Sequence, residues 1–107
     1  MTLHALSTVW NRARCGGEEL LALEFIADNS GYEEFIDLDE RTIASGSRRC
    51  RISQEDFQVI IATFREEGLI VPFSKKGPDR ECRLVLSRLN TWVGTGRRYK
   101  TVLFSED

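Results

Sequence analysis

The strongest structural signals of the chain lie in residues 53–70, which have the sequence SQEDFQVIIATFREEGLI. Ser53 is a favoured helix N-cap, and Glu55 and Asp56 follow in the first turn, where acids stabilise the helix dipole. Apolar residues recur at the spacing of one helix face, namely Phe57, Ile60, Ile61 and Phe64. Gly68 stands where many helices end. The stretch therefore predicts a long amphipathic helix that begins after Ser53 and ends before Gly68.

A basic turn is predicted immediately before this helix, over residues 47–52. Its basic residues are Arg48, Arg49 and Arg51. A two-turn helix is expected over residues 40–45, with Asp37 or Asp39 as its cap, and Gly46 is expected to break it. Two helices joined by a basic turn are thus the centre of the predicted fold.

Two more helices and three strands are predicted around this centre. The N-terminal helix has an apolar stripe formed by Leu3, Leu6, Trp10 and Ala13. A second, more apolar helix lies between the Gly16-Gly17 pair and residues 29–31. Strands are predicted over residues 34–38, 69–74 and 80–89, and the last two form a hairpin around a basic tip, residues 75–79.

Composition limits the classes of function. A chain of 107 residues can bury one core, so we expect a single domain. Its three cysteines are far apart and His4 is the only histidine, so we expect no disulfide framework, no zinc site, no cofactor and no catalytic triad. An enzyme is therefore not expected. No apolar run is long enough for a membrane span and the first residues do not resemble a secretion signal, which favours a cytoplasmic protein without a membrane partner.

The charge of the chain is divided unevenly between its two parts. Residues 1–40 carry 2 basic and 9 acidic side chains, whereas residues 41–107 carry 13 basic and 8 acidic ones. The basic part can bind a polyanion, or the two parts can meet head to tail in an oligomer. Two solvated faces without a partner would have the same charge pattern.

The order of the predicted elements resembles that of the winged-helix group of helix-turn-helix domains, over residues 17–87. The central part is most similar to winged-helix domains of phage and plasmid replication or regulatory proteins. The segments that carry this similarity are Leu20–Asp28, Ile43–Ser47, Ile52–Ser53 and Phe64–Ile70. The resemblance implies an α+β fold with three to four helices, a short strand and a C-terminal β-hairpin wing. Residues 1–16 and 88–107 would then be accessory or dimerisation segments.

The resemblance also implies a DNA-binding site. The helix that Ser53 begins would be the recognition helix, and residues 75–79 would be the tip of the wing. The candidate DNA-binding residues are Arg48, Arg49, Arg51, Ser53, Gln54, Gln58, Lys75, Lys76, Arg80 and Arg83. Basic side chains around the helix would bind phosphates, and the two glutamines can pair with adenine. The alternative for the glutamines is a pair of solvated surface amides.

Two functions remain open after this step. The first is a double-stranded DNA-binding regulator of transcription or replication, of phage or mobile-element type. The second is a winged-helix adaptor that binds protein, because Glu55 and Asp56 would repel phosphates from the recognition helix. Stabilisation of the helix dipole is the interpretation of these two acids that we favour.

Three further residues have more than one interpretation. Cys50 lies between two arginines that would favour its thiolate, as in a redox sensor, although a half-buried turn residue is the preferred interpretation. Trp10 and Trp92 are expected to fill the core or a dimer contact rather than stack on a base. The apolar residues of the terminal segments therefore predict either a two-fold dimer or intramolecular cover.

Overall fold

The computed structural model describes residues 3–31, 34–72 and 81–104. The helices are α1 (Leu3–Arg12), α2 (Gly17–Asn29), α3 (Glu40–Cys50) and α4 (Gln54–Glu66). The strands are β1 (Phe35–Asp37), β2 (Ile70–Pro72) and β3 (Glu81–Leu84), and a 3-10 helix (Leu86–Asn90) follows them. The predicted α+β class is confirmed. Within the described residues, no helix has both the length and the apolar character that crossing a membrane requires.

The three strands form one antiparallel sheet in the order β1-β3-β2. Ile36 of β1 lies opposite Cys82 of β3, and Ile70 of β2 lies opposite Leu84. These four side chains are buried. β1 precedes α3 in the chain and β3 follows α4. The pairing of these two strands therefore holds the beginning of α3 close to the segment that follows α4.

Helix α4 supplies the centre of the core. Its four predicted apolar residues are all buried: Phe57, Ile60, Ile61 and Phe64. The Phe57 ring packs edge to face on Phe25 of α2, with 5.9 Å between ring centres. The Phe64 ring packs in the same way on Trp92, at 5.8 Å. Aromatic pairs in this geometry add about 0.5–1.5 kcal/mol to the area that they bury, so α4 holds α2 and the C-terminal region to one core.

The ends of α4 agree with the prediction. The Asp56 amide donates a hydrogen bond of 3.1 Å to Oγ of Ser53, which is the N-cap. At the other end, Gly68 has a φ of 74°, and the Leu69 amide donates to the carbonyl of Phe64 at 2.8 Å. A positive φ at this position favours glycine, and the fold-back of Leu69 satisfies a carbonyl of the last turn.

The predicted helix break at Gly46 is wrong. Helix α3 runs through Gly46 to Cys50, and its N-cap is Asp39, which accepts a bond of 2.8 Å from the Thr42 amide. A Cβ atom at position 46 would lie 2.6 and 2.7 Å from Cε2 and Cε1 of Phe57, and closer still to Cζ. The glycine therefore allows α3 and α4 to approach each other closely. The basic turn over residues 47–52 is wrong for the same reason, because residues 47–50 are helical.

The buried side of α1 differs from the apolar stripe that the sequence predicted. Ala5 and Val9 are fully buried, whereas Leu6 and Ala13 are only partly buried. Trp10 is 66% exposed, so it does not fill the core, and a dimer contact through it stays a prediction.

The last predicted strand is shorter than expected. Strand β3 ends at Leu84, and the residues after Val85 form the 3-10 helix. This turn allows Nε of Arg88 to donate a 2.8 Å bond to the carbonyl of Glu67, at the end of α4. It also buries Leu89 completely. The chain thus leaves the sheet to cover the end of α4.

Residues 94–104, which we call the C-terminal strap, follow and contact α2 and the α3–α4 turn. The buried carboxylate of Glu19 accepts bonds from the amide and the hydroxyl of Thr95, at 3.0 and 2.9 Å. Farther along, the amide of Val102 donates to the carbonyl of Arg51 at 2.8 Å. Together with the buried Trp92, these contacts are the intramolecular cover that was one of the two predicted roles of the terminal segments.

The close approach of α3 and α4 predicts that Gly46→Ala destabilises the protein. Alanine is the better helix former by about 1 kcal/mol, but its Cβ would force Phe57 or the helix backbone to move. Such overpacking costs roughly 1–3 kcal/mol, so we expect the free energy of unfolding to fall in urea titrations. Gly31→Ala is the control, because nothing lies within 4 Å of a Cβ at that position.

A double-mutant cycle with Phe57→Leu separates this contact from other effects of alanine. If the ring is the obstacle, Gly46→Ala costs less in the Phe57→Leu background than in the wild-type chain. Equal costs in both backgrounds would show that Gly46 is required for another reason.

Candidate nucleic-acid interface

Three exposed arginines surround the turn between α3 and α4. Arg48 and Arg49 belong to the last turn of α3, and Arg51 is its C-cap. Arg51 has a left-handed backbone with a φ of 57°, and its amide donates to the carbonyl of Arg48 at 3.2 Å. The next residue, Ile52, is fully buried. Ile52 therefore anchors the turn in the core, while the three arginines are exposed.

Two of these arginines have a partner in the chain. Arg49 lies 3.8 Å from a carboxylate oxygen of Asp28 on α2. The Arg48 guanidinium lies over the ring of Phe104, with 5.6 Å between Cζ and the ring centre. Guanidinium groups bind phosphate oxygens in pairs of parallel hydrogen bonds. An exposed pair with a carboxylate is worth only about 0–1 kcal/mol, so a phosphate can compete for Arg49.

Gln54 and Gln58 are both exposed, as predicted. They line an open groove between α3 and α4, whose other walls include Ile43, Ala44 and Arg41. Glu40 also lines the groove, which therefore combines two amides and one acid with Arg41, a cation that was not among the predicted site residues. Amides and guanidinium groups are the side chains that form paired hydrogen bonds with adenine and guanine.

Ser53 and Arg83 lie at different places in the fold. The oxygen of Ser53 accepts the bond from Asp56 that caps α4, so this residue has a structural role that does not need a ligand. Arg83 is exposed on the central strand β3, opposite Phe35 and Val71. The remaining predicted residues lie outside the described part of the chain: Lys75, Lys76 and Arg80.

The outer side of α4 is acidic. Its exposed residues after the first position are Glu55, Gln58, Ala62 and Glu66. Glu67 follows at the C-cap and is also exposed. Carboxylates repel phosphates, so the cations that could attract a polyanion lie beside α4 rather than along its outer side.

The strap adds basic residues that the sequence analysis did not single out. Arg97, Arg98 and Lys100 are exposed, and residues 91–104 contain no acidic side chain. Arg97 and Arg98 border a small pocket together with Gly16, Gly17 and Glu18 at the start of α2. The run of residues 91–104 without an acid is the sequence signal that could have identified this segment.

The cysteines have properties opposite to those of a redox sensor. Cys50 is buried in the last turn of α3, and burial raises the pKa of its thiol to about 12, although Arg49 acts in the opposite direction. Burial likewise raises the pKa of Cys15 to about 11, with a further contribution from Glu19. The alternative in which the arginines favour the Cys50 thiolate is therefore wrong, because desolvation exceeds the effect of Arg49. The preferred interpretation was right about burial, although Cys50 lies in the last turn of α3.

No group of three or more His, Cys, Asp or Glu side chains in the described ranges is placed to hold a metal ion. His4 is exposed on α1.

Comparison of the chain with family models, with curated protein sequences and with solved structures finds no match.

The raised thiol pKa values predict slow chemical modification of the folded protein. At pH 8 a thiol with a pKa of about 12 contains roughly a thousandfold less thiolate than one with a pKa of about 9, and only the thiolate attacks a disulfide reagent. We expect Cys50 to react much more slowly in the folded chain than in urea. Its rate should rise about tenfold per pH unit from pH 8 to pH 11.

A variant with Cys15→Ser and Cys82→Ser leaves Cys50 as its single thiol, so the mass of the modified protein reports on Cys50 alone. Rapid modification of Cys50 in the folded protein at pH 8 would contradict the burial assigned to it.

Proposed function

We propose that this protein is a winged-helix protein that binds double-stranded DNA and regulates transcription or replication, of phage or mobile-element type. In this proposal the N-terminal end of α4, which carries Gln54 and Gln58, enters the major groove, and the end of α3 binds the phosphates beside it. The observation that carries the proposal is the cluster of three exposed arginines next to the capped N-terminus of α4.

The arrangement of elements supports the fold in this proposal. The order of α2, β1, α3, α4, β2 and β3 is the order that the winged-helix resemblance implies. Only three residues, 51–53, separate α3 from α4, as in a helix-turn-helix motif. Strands β2 and β3 are antiparallel neighbours, and a wing would connect them.

The positions of the basic residues support the phosphate contacts. The arginines of the α3–α4 turn come from a short part of the chain that backbone hydrogen bonds and the buried Ile52 hold in place, so a phosphate meets groups that are already positioned. Contacts with phosphates position a protein on DNA, while contacts with base edges provide sequence preference. Gln54, Gln58 and Arg41, which border one groove, are the side chains we assign to base contacts.

A dimer remains part of this proposal, because two-fold regulators double their contacts by binding two half-sites. The large apolar side chains left for such a contact on the described surface include Trp10, Val93 and Leu103.

The salt dependence of DNA binding tests the proposal. If about six phosphates are contacted, the logarithm of affinity should fall with the logarithm of salt concentration at a slope near −5, from roughly −0.9 per contact. Arg49→Ala and Arg51→Asn should each reduce the slope by about 1. Asparagine is chosen at position 51 because it tolerates the left-handed backbone.

Arg12→Ala is the matched control, because it removes the same charge from the end of α1, where Arg12 donates to Asn90. Its slope should equal that of the wild type. No binding of any duplex at low salt, or equal slopes for all variants, would refute DNA binding through the α3–α4 turn.

A second function, a protein-binding adaptor, is favoured by one specific observation, which is the acidic outer side of α4. In that case Glu55, Glu66 and Glu67 would contact a basic partner surface. The same titration separates the two functions, because an adaptor without DNA affinity gives no signal even at low salt, where electrostatic binding is strongest.

A further inference from the structure

The C-terminal strap places basic side chains beside the arginines of the α3–α4 turn. Residues 97–100 contribute Arg97, Arg98 and Lys100, all of which are exposed. Residues 41–54 and 91–104 together carry seven basic residues and no acidic residue. The two segments are distant in sequence, so it is the fold that combines their charges.

The first attachment of the strap is at α2. Glu19 is 3% exposed, and its carboxylate is held by the backbone and the side chain of Thr95. Gly94, the neighbouring residue, packs so closely on Cys15 that a Cβ would lie 2.5 Å from the Cβ of Cys15. The beginning of the strap is therefore fixed.

The second attachment is at the turn itself. The Val102 amide donates to the Arg51 carbonyl, and the Phe104 ring lies beneath the Arg48 guanidinium. Between the two attachments, Tyr99 is partly buried against the core, and Arg97 lies over its ring at 5.2 Å. The basic part of the strap thus runs from the start of α2 to the end of α3.

We propose that the strap is a second phosphate-binding element of the same interface, in which Arg97, Arg98 and Lys100 continue the basic surface of Arg48, Arg49 and Arg51. This inference rests on the proposed function, since its ligand is the backbone of duplex DNA. Residues 97–100 then contact the DNA backbone, so their contribution to affinity does not depend on the base sequence of the duplex.

The carboxylates near this surface are less exposed than its cations. Glu18 borders the pocket of Arg97 and Arg98, and Asp28 lies near Arg49. Burial raises the pKa of Tyr99, and Asp56 and the buried Glu19 raise it further. Glu24 acts on the pKa of Cys50 at the end of α3, and Glu55 follows the turn in the chain. All six cations are exposed, whereas of these six acidic residues only Glu55 is exposed.

Attachment at both ends also determines how the strap binds. A disordered basic tail loses conformational entropy when it binds DNA, whereas a segment already fixed by folding loses little. The contact with Phe104 holds the Arg48 guanidinium in place without burying it, because Arg48 remains exposed. The strap therefore extends the surface of the turn and leaves it open.

The experiment compares two double variants with the same loss of charge. Arg97→Gln with Arg98→Gln removes two cations from the strap, and Arg12→Gln with Arg14→Gln removes one from the end of α1 and one from the connection that follows it. The Arg14 side chain is exposed, and the substitution keeps the backbone carbonyl that accepts the bond from the Gly94 amide. Anisotropy of a labelled duplex of about 20 base pairs, measured over a range of salt, gives affinity and slope. Circular dichroism checks that each variant is folded, and Lys100→Gln provides a further variant with one charge removed.

We expect the strap double variant to reduce the slope by up to about 2 and to weaken binding at 0.1 M salt by about tenfold or more. Lys100→Gln should reduce the slope by up to about 1. The α1 variant should keep the wild-type slope. Weakened binding with a smaller slope in the strap variants alone supports the proposal.

Four results would overturn it. Equal losses in both double variants would mean that only total charge matters. Tighter binding after the strap substitutions would mean that the strap obstructs the site. Wild-type affinity in the strap variants would reject the strap while leaving DNA binding intact, whereas no binding by the wild-type chain would reject the proposed function and the strap together.

Discussion

The Phe57 ring occupies the space where a side chain at position 46 would stand, and this contact sets the distance between α3 and α4. Only a glycine allows α3 to continue past the ring, so the helix extends to Cys50 and its last turn brings Arg48 and Arg49 next to the start of α4. The same ring packs on Phe25 and so fixes α2. Phe57 thus connects α2, α3 and α4 in the core, and this core holds the basic turn in position.

Local signals predicted α4 well and α3 poorly, for one physical reason. The cap of Ser53, the apolar spacing and Gly68 act within a single helix, and sequence alone displays them. Gly46 has the same local signature as a helix end, but its effect depends on a residue eleven positions later that packs against it. Tertiary contact overrides propensity at such a site. The exposure of Trp10 was missed for the same reason, because contact with α2 decides which side of α1 is buried.

The strap shows what the sequence could not supply. Glu19 stands in the first turn of α2, a common place for an acid, yet its carboxylate bonds to Thr95, 76 positions away. The arginines of the turn were among the predicted DNA-binding residues. Those of the strap were not, because only the fold brings residues 97–100 to the turn. Cys50 lies at the same limit, since adjacent arginines are visible in the sequence, whereas the extent of its burial and its place in the last turn of α3 are not.

The central claim is that the α3–α4 turn and the strap form one surface for duplex DNA. Amide chemical shifts of the isotope-labelled protein, followed while a duplex is added at low salt, test it most directly. The account predicts that the largest shifts cluster in residues 48–58 and 97–102, with little change in α1. Shifts confined to the acidic outer side of α4 or to α1, or no shifts at all, would contradict it.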